Sequence, residues 1–225
     1  MRVLAIDTTE DACSAALLIG AEVYERFEVA PRQHSELILP MMDTLLADAG
    51  LRLVDLDALG FARGPGAFTG LRIAAAVAQG AAFGAGLPVV PVSSLQALAQ
   101  GATRTTGAAA VLSALDARMG EVYWGAYRAD GQGIMRPVIE ECVCAPSQVP
   151  VPEADHWQAA GSGWVAHAAI LEARCPACAT NDAGGWIHAR DVVRLAAAMF
   201  AEGTAVPAEQ AVPVYLRNEV AWSKP

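Results

Sequence analysis

The sequence predicts an α/β protein built from two units of the order βββαβαβα that face each other across a cleft. The first observation is that three short apolar runs open the chain before any helical pattern begins. The second is that helices and strands then alternate up to residue 104, and the third is that the same order begins again after residue 105. We therefore expect a first domain at residues 1–104 and a second at 105–225.

The first unit has the clearer pattern. Short apolar runs predict its strands, and apolar residues at helical spacing predict a helix that ends at Gly50. An alanine-rich run predicts the next helix, and a serine N-cap begins the last one. In order, we predict strands at 2–7, 13–19 and 22–29, a helix at 35–49, a strand at 56–62, a helix at 68–84, a strand at 88–92 and a helix from Ser93 or Ser94 to Gly101.

The second unit follows a polar stretch at residues 103–107, and its pattern is weaker. In order, we predict strands at 109–115, 121–127, 134–140 and 157–160, a helix at 164–174, a short strand near 177–180 and a helix at 189–202. Two such units joined near residue 105 are typical of the actin and sugar-kinase superfamily.

Composition and charge limit the classes of function. With 225 residues, 54% of them hydrophobic, the chain can bury one large or two modest cores. A net charge of −9 argues against binding a nucleic-acid backbone alone. No apolar run approaches the roughly 20 residues that span a bilayer, and Asp7 falls where a signal peptide would stay apolar. We expect a soluble, cytoplasmic protein that does not bind membranes.

The stretch from Gly64 to Arg72 joins a predicted strand to a predicted helix, and we expect the rest of the chain to be organised around it. Glycines allow tight turns, and a helix that begins near Thr69 presents unpaired N–H groups to an anion. Arg72 would add a planar cation. Alternatively, the glycines serve only packing, and Thr69 caps the helix.

The turn Asp7-Thr8-Thr9 is a second place where an anion or nucleotide could bind. Nucleotide sites of the actin and sugar-kinase superfamily use an acidic, hydroxyl-rich turn after the first strand. Alternatively, Asp7 only ends the strand, and a threonine pairs with the local backbone. The candidate nucleotide- or anion-binding residues are Asp7, Thr8, Thr9, Gly64, Gly66, Thr69, Gly70 and Arg72.

Histidines and serines do not predict a catalytic triad. None of His156, His167 and His188 stands beside an acid in a way that suggests one. Gly161–Gly163 lacks the full nucleophile-elbow pattern, so we expect a glycine turn before a helix, with a position facing the cleft as the alternative.

Four of the five cysteines form two close pairs, Cys142 with Cys144 and Cys175 with Cys178. We expect the first pair to lie on opposite faces of a strand, which argues against one zinc ion shared by all four. Reduced thiols are the default in a chain without a secretory signal.

Asp116-Ala117-Arg118, followed by Glu121, places two acids and a base around a tight turn between strands. A local ion-pair network is one interpretation. The other is that Arg118 reaches across the cleft to an anionic ligand or to another chain.

Five stretches together carry a resemblance to a known family over nearly the whole chain. They are Ala5–Thr9, Gly64–Arg72, Asp116–Arg118, Glu121–Tyr123 and Pro213–Arg217. They resemble the TsaB (YeaZ) family of bacterial tRNA threonylcarbamoyladenosine biosynthesis proteins. The resemblance implies an actin-like ATPase fold.

The resemblance also implies a place in the complex that modifies adenosine 37 of tRNA. In that complex a TsaB subunit acts as a scaffold, its paralogue TsaD does the catalysis, and the small ATPase TsaE docks on the pair. The metal histidines of TsaD would correspond to Ser94 and Leu98 here, and leucine offers no lone pair to a metal. The resemblance therefore implies that the chain has neither a metal site nor peptidase activity. It also implies that the chain contacts tRNA only through the complex.

In the family, the helices at 35–49 and 68–84 pair with the same helices of the paralogue. The resemblance implies a set of partner-interface residues on these helices, and Ile38 is excluded from it. The set is His34, Met41, Met42, Leu45, Ala74, Ala75 and Ala78. An isolated chain would expose this face, so we expect it to form a homodimer. Alternatively, both helix faces belong to the core of their own domain.

The leading hypothesis is therefore a non-catalytic partner subunit that activates a TsaD-like paralogue and needs no cofactor of its own. The alternative is a nucleotide-binding ATPase or phosphotransferase that uses Asp7, Thr8 and the loop at 64–72. Weak or vestigial nucleotide binding is compatible with the first hypothesis.

Overall fold

The computed structural model describes residues 1–153, 156–180 and 184–217, which form two mixed sheets with helices packed against them. The last residues of the predicted second domain, 218–225, lie outside this description. Within the described ranges, no helix is both long and apolar enough to cross a membrane.

The first unit has the predicted order βββαβαβα. Its elements are β1 (Arg2–Asp7), β2 (Ala12–Ile19), β3 (Glu22–Val29), α1 (His34–Asp48), β4 (Ala58–Gly64), α2 (Phe68–Ala85), β5 (Val89–Ser93) and α3 (Ser94–Thr106). The strands lie in the order β3-β2-β1-β4-β5. The first three pair antiparallel, whereas β4 and β5 continue the sheet in parallel, and α2 makes the crossover that parallel neighbours need.

Helix α3 is longer than predicted. We expected it to end at Gly101 and a polar linker to follow, but the helix continues to Thr106. The hydroxyl of Thr106 donates to the carbonyl of Ala102 at 2.8 Å, and Thr105 donates in the same way to Gly101. Threonines that bond to the preceding turn are compatible with a helix, so the polar run did not mark a linker.

The second unit begins like the first and then departs from the predicted order. Its elements are β6 (Ala110–Arg118), β7 (Glu121–Ala129), β8 (Met135–Pro137), β9 (Cys142–Cys144), β10 (Trp157–Ala160), α4 (Ser162–Ala166), α5 (Ala168–Arg174), β11 (Cys178–Ala179) and α6 (Ala189–Ala201). The strands lie in the order β11-β10-β6-β7-β8, and β9 pairs with β7.

Two predictions for this unit were wrong in detail. Between the third and fourth predicted strands, the described chain forms β9 and a 3₁₀ turn at Pro146–Gln148 where the repeat requires a helix. Prolines at 146 and 150 remove backbone donors that such a helix would use. The predicted helix at 164–174 is divided into α4 and α5, because His167 leaves the helical region at φ −126° and ψ 31°.

Helix α6 belongs to the second half of the sequence but packs on the first sheet, against β1, β2 and β4. The approach is close at Gly60, where a Cβ atom would lie 2.7 Å from the Cβ of Ala196. Helices α1 and α2 cover the other face of that sheet, and α3 packs against β6 and β7 of the second. A helix of the second half of the sequence therefore completes the core of the first unit. The predicted domain boundary at residue 104 stays a prediction.

An ion pair fastens α3 to α6. The guanidinium of Arg104 binds the carboxylate of Asp191 through two contacts of 2.9 and 2.8 Å. Asp191 is fully buried, and its hydrogen bonds raise the pKa of Arg104, so the guanidinium stays charged. The pair joins helices from opposite halves of the sequence.

The expectation about Cys142 and Cys144 was also wrong. Alternate residues of a strand share a face, and in β9 the two Sγ atoms lie 3.9 Å apart. Burial raises the pKa of the Cys144 thiol to about 12, and the neighbouring Cys142 and Glu121 add to the shift. Both thiols are therefore protonated at neutral pH, which makes them weak nucleophiles.

Candidate functional site

A cleft of about 680 Å³ lies between the two sheets, and it has the size of a small-molecule site. The turn after β1, the loop before α2, the end of β6 and the beginning of α4 line it. Among the predicted residues, the lining contains Thr9, Gly66, Asp116 and Arg118. Side chains that we had not assigned to a site also line it: Glu10, Phe68, Tyr123, Ser162, Val165 and Trp186.

Asp7 is fully buried at the end of β1 and is not part of this lining. Its Oδ1 accepts hydrogen bonds from the N–H (3.2 Å) and the hydroxyl (2.6 Å) of Thr9. Its Oδ2 has no hydrogen-bond partner among the described residues. Burial raises the pKa of Asp7 to about 7, against the bonds from Thr9, and the charge of Glu10 adds to the rise. Asp7 therefore changes its charge near neutral pH.

The glycine loop packs directly on the turn after β1. A Cβ atom at Gly70 would lie 1.9 Å from the carbonyl oxygen of Thr8, and one at Gly66 would lie 2.5 Å from that of Thr9. The hydroxyl of Thr8 donates to the carbonyl of Gly70 at 2.7 Å, and the N–H of Ala67 donates to Thr9. Packing against the turn therefore explains both glycines, and Thr69 lies exposed in the first turn of α2.

Residues 211–217, which we call the C-terminal strap, cover the other side of the loop. The N–H of Val214 donates to the carbonyl of Arg63, and a Cβ at Gly64 would lie 2.8 Å from the carbonyl oxygen of Val214. Gly64 also has a φ of +111°, which other residues rarely adopt. Its role is therefore to admit the strap.

Arg72 is not among the residues that line the cleft, and it contacts Phe68 and the strap. Its guanidinium carbon lies 3.9 Å from the centre of the Phe68 ring, and its Nε donates to the hydroxyl of Tyr215 at 3.3 Å. A cation stacked on one aromatic ring and bonded to another side chain is already engaged. The structure thus brings Arg72 to the strap and not to the predicted anion site.

The acid-base-acid motif forms local and strap contacts. Arg118 binds Asp116 through its side chain (3.0 Å) and its backbone N–H (2.9 Å), which matches the local interpretation. Glu121 pairs with Arg217 of the strap. Arg118 and Met119 both have left-handed backbone angles, at φ 63° and 55°. The motif thus contributes Asp116 and Arg118 to the cleft and Glu121 to the strap.

Glu10 and Ser162 connect the two units inside the cleft, and sequence reasoning missed this pair. The hydroxyl of Ser162 donates to Oε1 of Glu10 at 3.1 Å and accepts from the N–H of Asp116 at 3.2 Å. Burial raises the pKa of Glu10 to about 7, although Ser162 and the N–H of Ile187 lower it. The signal in the sequence for Ser162 was the glycine turn at Gly161–Gly163, for which we had considered a position facing the cleft as the alternative.

Two histidines lie near an acid that is distant in sequence, although neither contact forms part of a described catalytic triad. The Nε2 of His167 lies 3.7 Å from Asp116, and the Nδ1 of His188 lies 3.3 Å from both carboxylate oxygens of Glu25. These partners are distant in sequence, so spacing could not reveal them. Across the described parts of the chain, no group of three or more His, Cys, Asp or Glu side chains could hold a metal ion.

Most residues of the expected interface set lie inside the first unit. The buried members are His34, Met42, Leu45, Ala74, Ala75 and Ala78, whereas Met41 is half-buried. Except for His34, these side chains pack with the strands of the first sheet, as the alternative interpretation held. The outward faces of the two helices carry other apolar residues, among them Leu39 and Phe83, which are 50% and 81% exposed.

Comparisons with known proteins find a family model and relatives that are named for the threonylcarbamoyl modification of adenosine in tRNA. A family model described as TsaD, tRNA N6-adenosine threonylcarbamoyltransferase, matches residues 26–178. Two relatives named tRNA threonylcarbamoyladenosine biosynthesis protein TsaB align with the whole chain. The Escherichia coli protein is 45% identical over 98% of its length, and the Haemophilus influenzae protein is 41% identical over 97%.

A solved structure gives the same result. YeaZ from Pseudomonas aeruginosa superposes with a TM-score of 0.89 at 45% identity, and the alignment covers 96% of this chain and 99% of that one. The two facing α/β units therefore form the actin-like ATPase fold that the sequence predicted. Because both the sequence and the fold match at nearly full length, the chain belongs to the TsaB (YeaZ) family of tRNA threonylcarbamoyladenosine biosynthesis proteins.

Proposed function

We propose that this chain is a non-catalytic partner subunit in the synthesis of threonylcarbamoyladenosine at position 37 of tRNA. In this role it activates a TsaD-like catalytic paralogue by pairing with it. The observation that carries the proposal is the outward surface of α2, which exposes apolar side chains next to small residues.

This surface contains a groove between α2 and the 3₁₀ turn at Leu53–Asp55. Gly80 and Gly84 line it, and a Cβ atom at either would have no neighbour within 4 Å. Phe83, which is 81% exposed, comes just before Gly84 in the sequence. Val54, which is 54% exposed, lines the groove together with the two glycines. A partner helix could approach the backbone closely here and bury Phe83, and exposed apolar surface of this kind supports a docking role.

The residues at the expected metal positions support a non-catalytic role. Leu98 is buried in the core, and the hydroxyl of Ser94 lies 3.4 Å from that of Thr9. Neither side chain resembles an imidazole as a metal ligand. In the proposal, the paralogue supplies catalysis, a TsaE-like small ATPase joins the pair, and tRNA meets this chain only through the complex. An isolated chain forms a homodimer through the same surface.

Reconstitution tests the proposal. Threonylcarbamoylation of tRNA would be measured with the paralogue, the small ATPase and threonylcarbamoyl-adenylate, with and without this chain. We expect modification to depend on the chain. Full activity in its absence would contradict the proposal.

Replacing Phe83 by glutamate tests the surface itself. We expect pairing with the paralogue to weaken at least tenfold, because a charge would be desolvated where an aromatic ring should be buried. Val138→Glu is the matched control, since Val138 is also exposed but lies after β8 in the second unit. Equal affinities of the two variants by calorimetry would exclude α2 as the interface. Met42 and Leu45 are unsuitable for this test because a charge there would disrupt the core.

The cleft supports a second candidate function, that of a nucleotide-binding ATPase or phosphotransferase. Its volume suits a ligand, and Asp7 is a buried carboxyl beside it whose pKa is about 7. Calorimetry of the isolated chain with ATP and magnesium separates the two functions. If the natural chain binds ATP tightly and hydrolyses it, and the Asp7→Ala variant does not hydrolyse it, the enzyme function is favoured. If the Asp7→Ala variant activates the paralogue as well as the natural chain does, the partner role is favoured.

A further inference from the structure

We propose that the cleft between the two sheets binds a small organic cation, in which an ammonium group is attached to an apolar body. Carboxylates of the cleft would receive the ammonium group, and exposed apolar side chains would cover the body. This inference goes beyond the partner role and does not depend on it. It also differs from the nucleotide-binding candidate, because a polyphosphate would bring negative charge into the cleft.

Acids outnumber bases among the residues that line the cleft. Glu10, Asp11 and Asp116 line it, whereas Arg118 is the cation among its described lining residues. Arg118 is already engaged, because its guanidinium binds the carboxylate of Asp116 at 3.0 Å. The lining therefore carries a net negative charge, and the chain as a whole, with a net charge of −9, adds to the attraction for cations.

Two of these carboxyl groups have oxygens without a partner. The carboxylate of Asp11 is exposed and makes no hydrogen bond or ion pair with any described residue. Oε2 of Glu10 is buried, and it too has no hydrogen-bond partner within the described ranges. Burial raises the pKa of Glu10 to about 7 against the bond from Ser162, and the charge of Asp11 adds to the rise. A positive charge in the cleft would stabilise both carboxylates.

Apolar side chains line the same cleft and lack cover. Phe68, Val165 and Trp186 are 56%, 66% and 39% exposed. The indole of Trp186 makes no ring contact or hydrogen bond with another described residue, and indole attracts cations more strongly than other aromatic rings do. The ring of Phe68 already binds a cation, since the guanidinium carbon of Arg72 lies 3.9 Å from its centre. Free carboxylates and a free indole in one cleft fit a ligand that is both cationic and apolar.

The size and donor set of the cleft favour an organic cation over a metal ion. A volume of about 680 Å³ is that of a small-molecule site. Among the residues that the structure describes, no three or more His, Cys, Asp or Glu side chains are grouped so that they could hold a metal. An ammonium group needs no such group, because it donates up to three hydrogen bonds and can keep water where carboxylates do not reach.

The test is binding of phenethylammonium to the full chain, measured by isothermal titration calorimetry at constant ionic strength. Phenethyl alcohol is the matched neutral ligand and phenylacetate the matched anion, because both keep the aromatic body. We expect phenethylammonium to bind about tenfold more tightly than phenethyl alcohol, since a charge-assisted hydrogen bond to a carboxylate is stronger than a neutral one. Phenylacetate should bind more weakly than either.

Asp11→Asn and Trp186→Ala test the two parts of the site. Both side chains are exposed, so we expect both variants to fold. Asp11→Asn should weaken binding of phenethylammonium about tenfold and leave that of phenethyl alcohol unchanged, because only the ammonium group needs the carboxylate. Trp186→Ala should weaken binding of phenethylammonium about fivefold through the loss of the cation–π contact.

Asp43→Asn is the matched control. Asp43 is an exposed acid of α1 that does not line the cleft, and its removal changes the net charge by the same amount. Because salt screens so distant a charge, we expect its affinity for phenethylammonium to equal that of the natural chain. Equal affinities for phenethylammonium and phenethyl alcohol would overturn the proposal, and so would equal effects of Asp11→Asn and Asp43→Asn or tighter binding of phenylacetate. Activation of the paralogue is measured separately, and none of these results bears on it.

Discussion

Replacing Gly70 by alanine is expected to lower the free energy of unfolding by about 3 kcal/mol or more. The added Cβ atom would lie 1.9 Å from the carbonyl oxygen of Thr8 and 3.0 Å from its carbonyl carbon. Backbone atoms cannot give way as a flexible side chain can, so either α2 or the turn after β1 must move. The hydrogen bond from Thr8 to the Gly70 carbonyl would be strained by the same movement.

Gly80→Ala provides the matched control for this prediction. Gly80 lies in the same helix, and a Cβ atom there has open space within 4 Å. At protein concentrations at which the proposed homodimer dissociates, alanine should stabilise the monomer by about 0.5–1 kcal/mol through helix propensity. Urea unfolding of both variants measures the contrast. Similar effects for the two substitutions would show that α2 does not pack on Thr8 as described.

Replacing Asp7 by asparagine should stabilise the protein, and more so at high pH. The pKa of Asp7 is about 7 in the folded chain, against an ordinary value of 3.8. Between these values the folded state binds more protons than the unfolded state, so this carboxyl lowers stability as pH rises from about 4 to about 7. Asparagine does not ionise, and its amide oxygen can still accept from Thr9. From pH 5 to pH 8, the advantage of the variant should grow by about 3 kcal/mol.

Asp11→Asn tests whether this effect comes from burial. Asp11 is exposed in the same turn, so its carboxylate stays in water and its variant should track the natural chain at both pH values. Chemical denaturation at pH 5 and pH 8 gives the three stabilities. A pH-independent difference between Asp7→Asn and the natural chain would mean that Asp7 is not a buried titrating group.

Local signals were sufficient to predict the first unit. Short apolar runs placed β1 to β3, and Gly50 marked the end of α1. Ser93 marked the beginning of α3, where its hydroxyl accepts from the N–H of Gln96. The helix that continues through Thr106 escaped prediction because polar composition alone does not distinguish a linker from an exposed helix end. In the second unit, the actin-like repeat predicted a helix after the third strand, but the prolines that follow β9 disfavour a helix there.

The site was predictable only where its residues are close in sequence. The Asp7-Thr8-Thr9 turn and the glycine loop were both found, but their contact is a packing contact between segments about sixty residues apart, which no local pattern shows. The bond from Ser162 to Glu10 spans even more of the chain. Periodicity likewise found the apolar faces with Met42 and Leu45, yet it cannot tell whether a sheet or a partner covers them.

The position of α6 has a consequence for folding during synthesis. The strands of the first sheet leave the ribosome long before residues 189–201, and until then the sheet face with Val3, Ala5 and Ala58 lacks the helix that packs on it. An apolar sheet face without that cover is prone to misassembly. The first sheet therefore lacks part of its core as the ribosome releases it, and a nascent chain stalled before residue 189 should remain sensitive to protease within that sheet.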